Sequence, residues 1–125
     1  MNIRDVMNTD LLTVDRGSSL REAARRMSER NAGAALVVDP TTGSPREILT
    51  ERDVLNAVAA GQDLDTERVA ENTTPEVVTV QEDASLEQAV EKMLEGGFRH
   101  LLVVVGDEAV GIVSMRDLVR GLTSQ

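Results

Sequence analysis

The stretch "GIVSMRD", Gly111 to Asp117, has a near copy in "EILTERD", Glu47 to Asp53. Each closes an apolar pair with a hydroxyl, Ser114 or Thr50, and sets a carboxylate, Asp117 or Asp53, three residues later. Arg116 or Arg52 lies between them. A hydroxyl followed at this spacing by an acid marks the change from strand to helix, because the oxygen accepts from an orphan amide of the first turn and the acid reaches back. Two such changes in one small chain raise the question of an internal duplication.

Placing Thr13–Val38 over Thr79–Val104 answers it. Val14 matches Val80, Ser19 matches Ser85, Leu20 matches Leu86, Ala23 matches Ala89 and Met27 matches Met93. Leu36-Val37-Val38 matches Leu102-Val103-Val104, and the register then slips by two residues within the Gly/Pro-rich "DPTTGSPRE", where a turn tolerates a length change. Each copy opens with a short extended piece, "LLTV" or "EVVTV". Ser19-Leu20-Arg21-Glu22 and Ser85-Leu86-Glu87-Gln88 then read as capping boxes. Leu20, Ala23, Ala24 and Met27 fall on one helical face, as do Leu86, Ala89, Val90, Met93 and Leu94. Asn31-Ala32-Gly33 and Gly96-Gly97 supply left-handed helix ends. "AALVV" and "HLLVVV" read as buried strands, "EIL" and "GIV" as second short strands, and a last helix follows each. The expected fold is α/β (α+β): tandem β-α-β-β-α repeats over residues 1–64 and 65–125, packed with pseudo-two-fold symmetry. A single copy of about 60 residues has a marginal core, so the two are expected to pack on each other.

Thr50 with Asp53 and Ser114 with Asp117 admit two readings. As helix caps they need no ligand. As a binding site, the helix N-terminus offers amides and partial positive charge to a phosphate, Arg52 and Arg116 add charge-assisted contacts, and a carboxylate one turn in accepts from a ribose diol. The two roles are compatible.

Composition narrows the class. The 125 residues are 41% apolar and 28% charged, a globular profile. No apolar run approaches the roughly 20 residues of a membrane span, and "MNIRDVMNTD" lacks a signal-peptide core, so the expected compartment is the cytoplasm. Without cysteine there is neither a disulfide framework nor a thiolate site. A net charge of −9 repels phosphate backbones, and Phe98 is the sole aromatic residue, which argues against nucleic-acid binding. His100 is the only histidine, and no Ser-His-Asp order, metal-ligand cluster or Walker-type loop accompanies it. An enzyme is therefore not expected. Met7, Met27, Met93 and Met115 read as core filling.

The duplicated β-α-β-β-α unit, with "VMNTDLLTV" or "ENTTPEVVTV" opening each copy, "FRHLLVV" before the turn and "EILTERD" or "GIVSMRD" closing it, resembles the cystathionine-β-synthase (CBS) domain pair, or Bateman module. The resemblance runs from about Ile3 to Leu122. It implies a regulatory module binding an adenosyl ligand (AMP, ADP, ATP or S-adenosylmethionine) in two clefts, with no metal required. It places the ribose at Asp117 and Asp53 and phosphate at Ser114 and Thr50. It adds Thr74 and Thr79, or Asn8 and Thr13, from the segment around the first strand. From the start of the middle strand it adds Phe98, Arg99 and His100, or Ala32, Gly33 and Ala34.

The copies are unequal. Glu47 stands where the second copy has Gly111, and "AGAAL" stands for "FRHLL", so the Asp117 cleft is expected to be the better nucleotide site, with Glu47 opposing phosphate unless it points to solvent. The resemblance also implies a homodimer that signals through its geometry or through a partner protein. The basic first helix (Arg21, Arg25, Arg26, Arg30) and its acidic counterpart (Glu87, Glu91, Glu95) would favour head-to-tail pairing if they do not simply face water. The competing function is an interaction scaffold whose motifs are only caps.

Overall fold

The computed structural model of the chain describes residues 1–38, 41, 47–73 and 78–124. Within these residues the first copy contains β1 (Thr13–Asp15), α1 (Leu20–Glu29), β2 (Ala34–Val38), β3 (Glu47–Thr50) and α2 (Glu51–Ala59). The second contains β4 (Thr79–Gln81), α3 (Leu86–Gly96), β5 (His100–Val105), β6 (Glu108–Ser114) and α4 (Met115–Thr123). The class is mixed α+β, with two three-stranded sheets ordered β1-β2-β3 and β4-β5-β6. In each, the first strand runs parallel to the middle one and the third antiparallel to it.

Helix starts follow the expected chemistry with one correction. Ser85 Oγ accepts from the Gln88 amide at 3.1 Å and Gln88 Oε1 accepts from the Ser85 amide at 2.9 Å, a complete capping box. At α1 only half of it forms: Ser19 Oγ accepts from the Glu22 amide at 3.1 Å. The Glu22 carboxylate turns to Arg25 instead, at 2.6 and 3.2 Å, because a guanidinium one turn on offers two parallel donors. Both helices end in the left-handed conformation, at Asn31 (φ 51°) and Gly97 (φ 71°). The following amides of Ala32 and Phe98 donate back to the Met27 and Met93 carbonyls at 2.9 and 3.0 Å.

The chain divides into two compact units, and the leading segments change sides. Leu12–Val77 forms what we call the first unit; Met1–Leu11 joins Val78–Gln125 in the second. A short 3₁₀ turn at Ile3–Asp5 lays fully buried Ile3 into the core made by Val80, Leu86, Ala89, Met93, Leu101, Val103, Val113 and Leu118. The corresponding turn, Val69–Glu71, lays Val69 among Leu12, Val14, Leu20, Ala23, Met27, Ala35, Val37, Leu49 and Ala57. Matching backbone bonds pin the two turns: Ile3 and Arg4 amides to the Ala84 and Glu82 carbonyls (3.0 and 2.9 Å), Val69 and Ala70 amides to the Ser18 and Arg16 carbonyls (2.9 and 3.0 Å).

Candidate functional site

In the second unit β6 delivers Ser114 to the N-cap of α4. Ser114 Oγ accepts from the Asp117 amide at 3.1 Å, and Asp117 Oδ2 accepts from the Ser114 amide at 2.9 Å. The next amide, that of Met115, donates to the Arg99 carbonyl at 2.9 Å, tying the helix start to the residue before β5. His100 faces Ser114 across the β5–β6 ladder. Asn8 pairs with Ile112 through both backbone groups (2.9 and 3.1 Å), extending the sheet beyond β6 by one residue. Ser114, Asp117, His100, Arg99, Arg116 and Asn8 thus gather around one strand-to-helix change. Arg99, Arg116 and Asn8 are exposed there.

Thr50 holds the same place in the first unit, but its bonds differ. Thr50 Oγ1 accepts from the Asp53 amide at 3.3 Å and also donates to Asp53 Oδ2 at 3.0 Å, while the Thr50 amide donates to that oxygen at 2.8 Å. The Glu51 amide meets the Gly33 carbonyl at 2.9 Å, and Ala34 faces Thr50. Among the described residues no bond runs from Ser114 Oγ to the Asp117 carboxylate, whereas Thr50 Oγ1 donates to Asp53 Oδ2.

The remaining expected residues divide. Thr79 lies on β4, across Leu102 and Ile112 from Asn8 in one transverse row, so the two stand at opposite edges of the sheet. Asn8 and Thr13, grouped by sequence, belong to different units. Thr13 and Thr79 carbonyls accept from Arg26 Nη1 and Lys92 Nζ, each at 2.8 Å. Phe98 folds back on its own helix end: a Cβ at Gly96 would stand 2.0 Å from the ring. Arg52 is exposed in the first turn of α2. Thr74 lies outside the described residues.

Glu47 begins β3, at the far end of the strand from Thr50, and its carboxylate accepts from Thr73 Oγ1 at 2.9 Å and pairs with Arg16 Nε at 3.6 Å. Gly111, its counterpart, is covered by Met7. Sequence reading treated Met7 as core filling and did not single out Thr73 or Arg16. Aligning the leading segments, which pairs Met7 with Thr73, was the available signal.

Among the described residues no cluster of His, Cys, Asp or Glu could hold a metal ion, and no helix is long and apolar enough to cross a membrane. The CBS domain matches this chain twice, over residues 3–60 and 69–124. The chain belongs to the CBS domain family. Its two CBS repeats are 36% identical over 118 residues to the CBS domain-containing protein YhcV of Bacillus subtilis, covering 94% of this chain and 82% of that protein. The fold matches a putative signal-transduction protein with CBS domains from Burkholderia ambifaria at TM-score 0.92 and 27% identity, covering 100% and 96% of the two chains. It also matches the CBS domain protein PAE2072 from Pyrobaculum aerophilum, solved in complex with AMP, at TM-score 0.86 and 25% identity over the whole of both chains.

Proposed function

We propose that this CBS pair is a regulatory module that binds an adenosyl ligand, AMP, ADP, ATP or S-adenosylmethionine, at Ser114 and Asp117 without turning it over. The observation that carries the reading is the Ser114 cap: its oxygen serves the Asp117 amide while its proton remains for a phosphate. Arg99, Arg116 and His100 bring cationic or donor groups to the same corner, and Asp117 has a carboxylate oxygen for a ribose diol. The AMP complex of PAE2072 supports the ligand class.

Binding is read as a cytoplasmic signal passed on by the geometry of a homodimer or by a partner protein. A ligand shifts such an equilibrium only through different affinity for its two states. Support for a dimer comes from the last helix of each copy. Leu55 and Val58 on α2, and Val119 and Leu122 on α4, are equivalent apolar pairs left 36–59% exposed. The charged first helices are weaker candidates for the contact, because Arg21 pairs with Asp65, Arg25 with Glu22 and Glu29, and Arg26 with the Thr13 carbonyl.

The scaffold reading keeps one observation in its favour: Thr50 and Asp53 satisfy each other three times over, as pure caps would. Thermal melts with and without millimolar AMP, ATP or S-adenosylmethionine separate the two, since a ligand that binds only the native state raises the midpoint. A rise supports sensing; no shift with any of them overturns it in favour of the scaffold. Steady hydrolysis of nucleotide abolished by Asp117→Ala would overturn the non-enzymatic part.

A further inference from the structure

The two strand-to-helix corners are built alike but charged oppositely. The Met115 amide donates to the Arg99 carbonyl and the Glu51 amide to the Gly33 carbonyl, each at 2.9 Å, so Arg99 and Gly33 stand beside the first helical residue of α4 and α2. His100 pairs with Ser114, and Ala34 with Thr50, in their ladders. Directly opposed residues of an antiparallel pair point to one face of the sheet, with Cβ atoms about 5 Å apart. His100 and Ala34 thus share a face with the capping hydroxyls.

Three differences separate the corners, and each makes the second better able to hold an anion. Arg99 corresponds to Gly33, His100 to Ala34, and Met115 to Glu51 at the helix start. Arg116 and Asp117 have their equals in Arg52 and Asp53. The second corner therefore holds two guanidinium groups and one carboxylate, the first one guanidinium and two carboxylates. This positive charge is local: Val78–Gln125 contains eight acidic and four basic side chains, and two of the four, Arg99 and Arg116, lie exposed at the cap.

Adenosyl ligands differ most in the group beyond the ribose. A terminal phosphate carries about −1.5 to −2 at neutral pH and suits guanidinium donors and the positive end of a helix. S-adenosylmethionine carries a sulfonium and an ammonium against one carboxylate, so its tail is net cationic. Contacts at the cap lie well inside the Debye length of about 10 Å, so like charge there is felt rather than screened.

We propose that Arg99 and His100 are specificity determinants that make the second unit's grip select phosphorylated adenosine over S-adenosylmethionine. The inference rests on the nucleotide-binding reading above and narrows its ligand class. Titration calorimetry of the full chain with AMP, ATP and S-adenosylmethionine tests it on the wild type and on R99Q/H100Q. The bond from Met115 runs to the backbone of residue 99, so the substitution retains it, and melting midpoints report whether the variant folds. Should it fail to fold, R99Q alone, at an exposed side chain, carries the same comparison. The wild type is expected to bind AMP and ATP more tightly than S-adenosylmethionine. The variant is expected to lose about tenfold or more in nucleotide affinity, with S-adenosylmethionine affinity unchanged or raised. A wild type that prefers S-adenosylmethionine, or a folded variant that weakens both ligands equally, would overturn it. If the wild type binds none of the three, the nucleotide-sensing reading fails, and the phosphate preference is read with inorganic pyrophosphate alone. A melting midpoint raised in the wild type and not in the variant then supports it; no difference between them overturns it.

Discussion

The amides of Ser114 and Asp117 are exchanged between the two residues: each backbone N–H donates to the other's side chain, at 2.9 and 3.1 Å. The pair therefore makes the start of α4 and, in the proposed function, the grip on a sugar phosphate. Thr50 and Asp53 make the equivalent exchange with one bond more.

Asp117→Ala and Asp53→Ala separate the two roles. Each removes half of a capping box, and each is expected to cost about 1 kcal/mol, a fall in melting midpoint of roughly 4 °C for a domain of this size. Only Asp117→Ala is expected to abolish heat of AMP binding in calorimetry. Equal loss of binding in both variants would contradict the inequality of the sites.

Ile3→Ala and Val69→Ala probe the crossed leading segments. Both side chains are fully buried, so the Ile3 truncation is expected to cost about 2–5 kcal/mol and the smaller Val69 one somewhat less. The location of the damage is the sharper readout. Amide exchange is expected to accelerate in α3, β5 and α4 for Ile3→Ala, and in α1, β2 and α2 for Val69→Ala.

Leu55→Glu combined with Val119→Glu is expected to lower the sedimentation coefficient to that of a monomer. Both side chains are more than half exposed within the chain, at 59% and 51%, so far-ultraviolet dichroism should stay that of the wild type. Reversing charge at Arg30 and Glu91 is expected to leave the oligomer intact.

Acid titration gives a smaller effect with a defined sign. The hydrogen bond from Arg25 holds the Glu22 carboxyl below its ordinary 4.5, and nearby Arg25 and Arg26 charge adds to it. A depressed folded-state value means stability present at neutral pH and lost as pH falls through the acid range below 4.5. The melting difference between wild type and Glu22→Gln is therefore expected to shrink on acidification, and to be small throughout because the pair is exposed and screened.

The duplication made most of the local structure legible. Ser19, Ser85, Thr50 and Ser114 cap helices where their spacing requires, and Asn31 and Gly97 end them. The length of β6 was less legible. It begins at Glu108 rather than at Gly111, because left-handed Gly106 (φ 62°) and Asp107 turn the chain tightly enough for pairing to continue down to Val105 and Glu108. The destination of Ile3 was not legible at all, since either core would accept an aliphatic side chain and periodicity carries no choice between them. Nor were the partners of Glu47, which come from Thr73 and Arg16, residues brought to it only by folding. What local pattern encodes is the period and the caps; which segment closes which core is decided by tertiary packing.

The crossed leading segments also order the assembly of the chain in time. Everything the first unit needs lies in one continuous run, Leu12–Val77, and is available before the second copy has been synthesised. The second unit needs both ends, with Ile3 waiting for Ala84 and Asn8 for Ile112. Such long-range closure is slow relative to local pairing. The half that carries the proposed nucleotide grip is thus the last to become whole, complete only once Met1–Leu11 has joined the segment that starts at Val78.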